Sequence, residues 1–415
     1  MTSLLLNAVD NEGGAARAAY RLHKGLQSIG ADSKMLVGRK TTDDSKVVEA
    51  FSGWHPFASF RPLLNKIPLL LYPNRKSINF SPSFLPDSLA EKISSYDAQV
   101  INLHWINDGF LGIESLRKIR KPLVWTLHDM WAFTGGCHYN DGCEKYKETC
   151  GSCPQLGSNK EADLSRRTLH HKKKSWQDID LTIVTPSKWL AECAGSSSLF
   201  KGKRVHVIPN GLDIEIYKPS SKSLAREKLS LPVDKKLILF GGMNASSDRR
   251  KGFQYLEPAL KKIAKGPFSE TLELVTFGST GPVKRQDNGL KINDAGPMYD
   301  DRSLALLYSA ADVFIAPSIQ DNLPNTVMES LACATPVVAF NIGGMPDMID
   351  HKKNGYLARP FETDDLGYGI EWILEDMERN IKLGEAAREK VLREYSLEIQ
   401  ASRYLNLYEG LLQNV

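Results

Sequence analysis

The chain has 415 residues, 42% of them hydrophobic and 25% charged, with 31 Gly and 21 Pro. This ordinary globular composition excludes a collagen-like, disordered or small disulfide-stapled chain, and the length suggests two large domains or three small ones. Lys and Arg number 53 against 49 Asp and Glu, and a net charge of +4 does not mark a nucleic-acid binder.

Short β-branched runs recur, each ending in Gly, Pro, Ser or His and each followed by a helical pattern. They cover residues 3–9, 33–37, 98–104, 123–128 and 181–185, then 237–240, 272–277, 312–316 and 336–340. Nearly unbroken apolar strands alternating with helices predict parallel sheets covered on both faces, so the fold class is α/β and the series appears twice. In such sheets ligands bind beyond the carboxyl ends of the strands, where loops and helix N-termini meet.

The first strand leads into Asp10-Asn11-Glu12-Gly13-Gly14 and an Ala-rich helix. Gly13 and Gly14 would let backbone approach a ligand, and the helix start offers N–H groups to an anion; a plain strand-to-helix turn is the simpler reading. G-x-G-x-x-G is absent and the second strand ends in Gly38-Arg39-Lys40 without an acid for a ribose, which disfavours a dehydrogenase. The N-terminus lacks the basic region and length of a signal peptide, and no apolar run nears the roughly 18 residues of a membrane span, so a cytoplasmic location is expected.

Residues 54–76 combine Trp54, Phe57, Phe60, Leu63, Leu64, Ile67, Leu69, Leu70, Leu71 and Tyr72 with Arg61, Lys66, Arg75 and Lys76. A second basic cluster holds Arg166, Arg167, His170, His171 and Lys172-Lys173-Lys174. Apolar, aromatic and basic surface together suits peripheral contact with anionic lipid at the inner face of a membrane. The alternative is that the apolar stretch packs into the core while the lysines are solvated.

Between these segments four of the six cysteines crowd together: Cys137, Cys143, Cys150 and Cys153, spaced C-x5-C-x6-C-x2-C. Four thiolates in a loop poor in apolar residues could fold around a structural Zn²⁺. Reduced cysteines in a packed loop and local disulfides are the alternatives, and His138 could displace one Cys. Four protein ligands would leave no open position, so a catalytic metal is not expected.

A break follows at residues 204–219. Val205-His206-Val207-Ile208 reads as a last strand, and Pro209-Asn210-Gly211 as turn chemistry before an exposed, charged stretch, which places a hinge there. The second series opens with strand 237–240, then Gly241-Gly242 and Arg249-Arg250-Lys251-Gly252 before a helix. Cations beside a helix start suit a diphosphate; a basic triplet taken alone is more simply a solvated loop, and its position at the end of a strand favours the first reading. Strand 312–316 ends at Pro317-Ser318, a loop carries Asp321, and Pro324 starts a helix bearing Glu329. These carboxylates at one helix end could accept hydrogen bonds from sugar hydroxyls while backbone N–H groups hold phosphate; a cap or salt bridge is the plainer role for Glu329. At the end, Ala401, Tyr404, Leu405, Tyr408, Leu411 and Leu412 mark one helical face with Ser396 as N-cap, a face that must dock, with the first domain as one candidate partner.

Asp312-Val313-Phe314, Pro317-Ser318, an acid, seven residues and Glu, then residues 332–339 and Gly343-Gly344 resemble family four of the retaining nucleotide-sugar glycosyltransferases. Gly13-Gly14, residues 208–213, Lys251-Gly252 and a late turn at Asn354-Gly355-Tyr356-Leu357 add to the likeness, which spans nearly the whole chain. It implies the GT-B fold, two Rossmann-like domains facing across a cleft: residues 1–208 for the acceptor, with the Cys-rich insert 137–153, residues 209–395 for the nucleotide-sugar, and a C-terminal helix over 396–415.

The resemblance further implies that Glu329 holds the ribose, Lys251 the diphosphate, Asp321 lies near the donor sugar, and His128 faces it from the first domain. The donor site would also include Gly242, Asn322, Leu323, Pro324 and Asn325. Two positions depart from the pattern: the first acid is usually Glu, and the customary Arg is replaced by Ser246, with Arg250 or Arg249 as the expected substitute. Retention without a catalytic metal is implied, and the cysteine insert resembles a subgroup associated with bacterial exopolysaccharides of the colanic-acid type. A glycan or lipid-linked glycan would be the acceptor, with no nucleic-acid partner. The rival reading is a catalytically weak or inactive nucleotide- or glycan-binding protein on the same fold.

Overall fold

The computed structural model describes residues 1–51, 55–243, 245, 248–278, 289–298 and 300–413, with side chains omitted at 55–59. Trp54 and Ser246 therefore lie outside the described residues, as does the Phe57 side chain. The chain folds as two compact units, one of Met1–Pro209 with the stretch from Gln400 onward, the other of Asn210–Ile399.

Among the described residues, the first unit holds seven strands: β1 (Thr2–Val9), β2 (Asp32–Arg39), β3 (Val47–Glu49), β4 (Val100–Leu103), β5 (Leu123–Thr126), β6 (Leu181–Thr185) and β7 (Val205–Val207). Their order is β3-β2-β1-β4-β5-β6-β7, every pairing parallel. The second holds six: β8 (Lys236–Gly241), β9 (Leu272–Phe277), β10 (Lys291–Asp294), β11 (Val313–Ala316), β12 (Val337–Phe340) and β13 (Gly355–Ala358). Their order is β10-β9-β8-β11-β12-β13, again all parallel. Each sheet is doubly wound, and the order reverses beside its first strand, at β1/β4 and at β8/β11. A crevice opens at such a switch point because neighbouring connections leave in opposite directions.

The central strands are buried along their length, as unbroken apolar runs require. β3, β10 and β13 are sheet edges, and the apolar runs did not reveal them. The last corrects the sequence reading: residues 355–358 form a strand paired with β12, and the turn lies just before it, where Asn354 and Lys353 donate to the Asp350 carbonyl.

The final helix, Leu397–Gln413, is capped by Ser396, whose Oγ accepts from the Ile399 amide at 3.2 Å. Its Ala401, Tyr404 and Tyr408 are buried against Leu5, Val100, Val124 and Val184 of the first unit's sheet. The hydroxyls are satisfied there, Tyr404 at 2.9 Å from Thr126 Oγ1 and Tyr408 accepting from Asn102 Nδ2 at 2.7 Å. Burial of the rings therefore carries no unpaired polar group.

Residues 60–71 contradict the core reading of that stretch in part. Leu69 is buried, but Leu70 and Leu71 are 72% and 80% exposed, and Phe60, Leu63 and Ile67 are exposed with them. No helix among the described residues is long and apolar enough to cross a membrane.

Candidate functional site

In the second unit the candidate residues gather at the β8/β11 switch. The Arg249–Lys251 turn follows β8, opened by Asp248, whose carboxylate accepts from the Arg250 amide. Gly252 closes it at φ 77°, and a Cβ there would stand 1.7 Å from the Pro317 carbonyl oxygen. Only glycine lets this turn press on the end of β11. The Ile319 amide donates to the Arg250 carbonyl at 2.8 Å, and Arg250 Nη1 to the Gln320 carbonyl at 3.0 Å.

Those bonds deliver both cations to Asp321. Lys251 Nζ stands 2.7 Å and Arg250 Nη1 3.1 Å from Asp321 Oδ2, while the Asn322 amide donates to Oδ1 at 3.1 Å. Asp321 is only 6% exposed. Burial opposes its ionisation, but Lys251 and then Arg250 outweigh that and hold the carboxyl far below the usual range. Gly343 buttresses the loop from behind: it has φ 56°, and a Cβ would lie 2.1 Å from the Asp321 carbonyl oxygen. The expected alternatives separate here, for Arg250 joins the cluster and Arg249 is exposed.

Leu323 and Asn322 are buried, and Pro324 is the N-cap of the helix Asn325–Ala332 rather than its first residue. Gly242, at φ 131°, faces that helix start, its virtual Cβ 3.5 Å from Thr326 Cγ2. Glu329, on the same helix, is 2% exposed and accepts from Tyr308 Oη at 3.1 Å. Loop acid, cations, glycine turn and helix acid thus belong to one contiguous region.

In the first unit, Gly13 and Gly14 follow β1, with nothing within 4 Å of a Cβ built on either. Asp10 before them is committed to structure. It accepts from the amides and hydroxyls of Thr41 and Thr42 at 2.7–2.9 Å, tying the end of β1 to the end of β2. His128 lies two residues beyond β5, not in it; its Nε2 is 3.0 Å from His104 Nδ1, and the rings stack with centroids 5.3 Å apart. Burial pushes His128 down to about 4, so this pair is neutral at physiological pH. Asp129 beside it accepts from Trp105 Nε1 at 3.0 Å and pairs with His138 Nδ1 at 2.7 Å.

Cys137, Cys143, Cys150 and Cys153 are free thiols lining one pocket. Among the described residues, however, no three His, Cys, Asp or Glu groups are already set to hold a metal ion. His138 is not a spare ligand: Asp129 takes its Nδ1 and Ser81 Oγ lies 2.9 Å from its Nε2.

Sequence reasoning missed Tyr308 and His104. A tyrosine within a helix gives no sign of where its hydroxyl ends. His104 follows its strand as His128 follows β5, and that shared placement was the available signal.

The model of Glycosyltransferase Family 4 matches residues 12–216, and that of Glycosyl transferases group 1 matches residues 234–376. An uncharacterized glycosyltransferase, MJ1607 of Methanocaldococcus jannaschii, is 29% identical over 335 residues, 76% of each chain. The putative colanic acid biosynthesis glycosyl transferase WcaC of Escherichia coli is 27% identical over 260 residues, 58% of this chain and 59% of that one. The structure of Anabaena HepE in complex with UDP and glucose aligns with TM-score 0.66 at 17% identity, over 99% of this chain and all of that one.

Proposed function

We propose that this glycosyltransferase, built of two glycosyltransferase domains with GT-B structural neighbours, moves a sugar from a nucleoside-diphosphate-sugar to a glycan or lipid-linked glycan with retention of anomeric configuration. The observation that carries the reading is the Lys251–Arg250–Asp321 cluster at the β8/β11 switch, on the loop that enters the Glu329 helix. Glu329 would hold the ribose and the two cations the diphosphate. HepE is described with UDP and glucose, which makes a UDP-sugar the first donor to test.

Breaking the sugar–phosphate bond builds negative charge on the departing diphosphate and oxocarbenium character on the sugar. Lys251, Arg250 and the first amides of the helix Asn325–Ala332 would stabilise that charge as it grows, held in place by bonds made before the reaction. Asp321 keeps the two cations aimed. The leaving phosphate oxygen would take the proton of the acceptor hydroxyl, so no catalytic divalent metal is called for. The first unit, with neutral His128, would present the acceptor.

The exposed Leu63, Ile67, Leu70 and Leu71, with Lys66 and Arg75 beside them, suit shallow insertion into an anionic lipid surface at the cytoplasmic face of a membrane. The similarity to WcaC makes bacterial polysaccharide synthesis the pathway to examine.

The test is a panel of UDP-, GDP-, ADP- and dTDP-sugars read by thermal shift, then by transfer to glycan acceptors. Ligand at one hundred times its dissociation constant adds roughly 2.7 kcal/mol, so a cognate donor should be visible. Glu329→Ala should abolish transfer. Binding without transfer by the wild-type chain to any acceptor would favour the inactive binding protein instead.

A further inference from the structure

We propose that Cys137, Cys143, Cys150 and Cys153 bind one zinc ion, and that Lys172, buried on the helix Leu164–Trp176 that follows them, is the counter-cation of the thiolate site so formed. The first support is convergence. The four cysteines come from a 17-residue span, none is in a disulfide, and all line the same pocket.

The second support is the loop itself. From Trp131 to the helix Leu164–Trp176 the described chain contains only the short turns Trp131–Phe133 and Lys145–Lys147 as regular helix. A stretch of that length with so little secondary structure needs another source of order. Its C-x-x-C turn is sharply folded, with Cys150, Gly151 and Ser152 at φ 54°, 102° and 42°. A Cβ on Gly151 would meet the Glu161 carbonyl oxygen at 2.2 Å, so the turn is pressed against the returning chain.

Lys172 is the third support and the most specific. It is fully buried, and its ammonium is received by the carbonyls of Trp131 and Thr134 and by two rings, Trp131 at 3.6 Å and Trp176 at 5.9 Å. Among the described residues no carboxylate forms an ion pair with it. Asp129, which precedes the insert, is itself engaged by His138 and Trp105. A buried cation without a counter-anion is strongly disfavoured. Four thiolates around a dication carry two net negative charges, which Lys172 would meet from inside. Lys145 and Arg166 meet them at the rim, donating to the carbonyls of Gly151, Ser152 and Cys150.

Soft thiolate donors and a closed tetrahedral set favour zinc, in a structural role. Binding breaks four S–H bonds, forms four S–Zn bonds and releases the protons to solvent. The thiols must close in on the ion as they ionise, since they do not stand as a finished coordination shell. The bound ion would brace the loop that carries Asp129 and His138 next to His128.

The untagged wild-type chain, purified without chelator, is analysed for metal by plasma mass spectrometry. About one zinc per chain is expected, and cobalt substitution should give tetrahedral thiolate absorption bands. Cys150→Ser with Cys153→Ser should lose the metal. Lys172→Met should release zinc to a chelator at least about tenfold faster, the scale seen for supporting residues around metal ligands. Little metal in the wild-type chain, with four thiols open to a thiol reagent or joined in disulfides, overturns the proposal, and so does stoichiometric iron. Unchanged zinc retention in Lys172→Met overturns the counter-cation role. The wild-type metal content decides the site even if a variant fails to fold.

Discussion

Lys251 Nζ and Asp321 Oδ2 are 2.7 Å apart, joining the turn after β8 to the loop after β11. The contact sets the geometry in which a diphosphate would meet the protein: two cations fixed by one buried carboxylate rather than two mobile side chains. On the proposed reading, Asp321 and the diphosphate would share the same partners.

Asp321→Asn should therefore separate binding from transfer. It removes a negative charge beside the cations, so affinity for the free nucleoside diphosphate should hold or rise, while kcat falls because Lys251 and Arg250 lose their aim. Since both cations are about a quarter exposed, stability should drop by about 1–3 kcal/mol rather than the larger cost of a fully buried pair. Denaturant unfolding and steady-state kinetics measure the two effects.

Lys251→Ala should lower kcat/KM by about 10²–10³, the usual effect of losing one preorganised charge-stabilising donor. Lys251→Arg should not restore it, because a planar fork cannot copy a point charge at this site. Single-turnover transfer assays would check both.

Gly252→Ala should disrupt the site without touching a charged group. The added methyl collides with the Pro317 carbonyl and the residue keeps φ 77°. A loss of about 2 kcal/mol or more, with weakened donor binding, is expected from circular dichroism melts and nucleotide titration.

Tyr308→Phe should raise KM for the donor more than it lowers kcat, since Tyr308 reaches Glu329 and no reacting atom. A merely structural role would reduce melting temperature and leave KM alone.

Acid should weaken the first unit before it affects carboxylate pairs such as Lys251–Asp321. His23 is fully buried between Ser33 and Gln27, and burial lowers it from 6.5 to about 4 despite Asp44. The unfolded chain binds this proton first, so its contribution is intact above about pH 6.5 and is lost as pH falls towards 4. By about pH 5 the loss is about 2 kcal/mol for His23, and His128 acts in the same direction. His23→Gln should flatten the pH dependence of urea unfolding over that window.

Much of the fold was legible because central parallel strands are apolar on both faces. Residues 181–185 and 272–277 match their strands end to end. Of the edge strands only β7 was read; Lys291–Asp294, which was not, carries polar residues at both ends and pairs on one side only. In the candidate site, spacing located Lys251 on a turn, Asp321 on a loop and Glu329 on a helix, where the structure has them. It could not show that Arg250 rather than Arg249 turns inward, which depends on the Ile319 and Gln320 backbone. Nor could it show what Tyr308 and Lys172 touch, because both act across distances in sequence that periodicity does not encode.

On the proposed reading, Lys251 and Glu329 hold the diphosphate and ribose of a sugar donor. Calorimetric titration of UDP, GDP, ADP and dTDP into the wild-type chain, Lys251→Ala, Glu329→Ala and His128→Ala tests it most directly. One nucleotide should bind the wild-type and His128→Ala chains alike and bind the other two at least about tenfold more weakly, a difference of about 1.4 kcal/mol. Equal affinity in all four proteins would contradict the account.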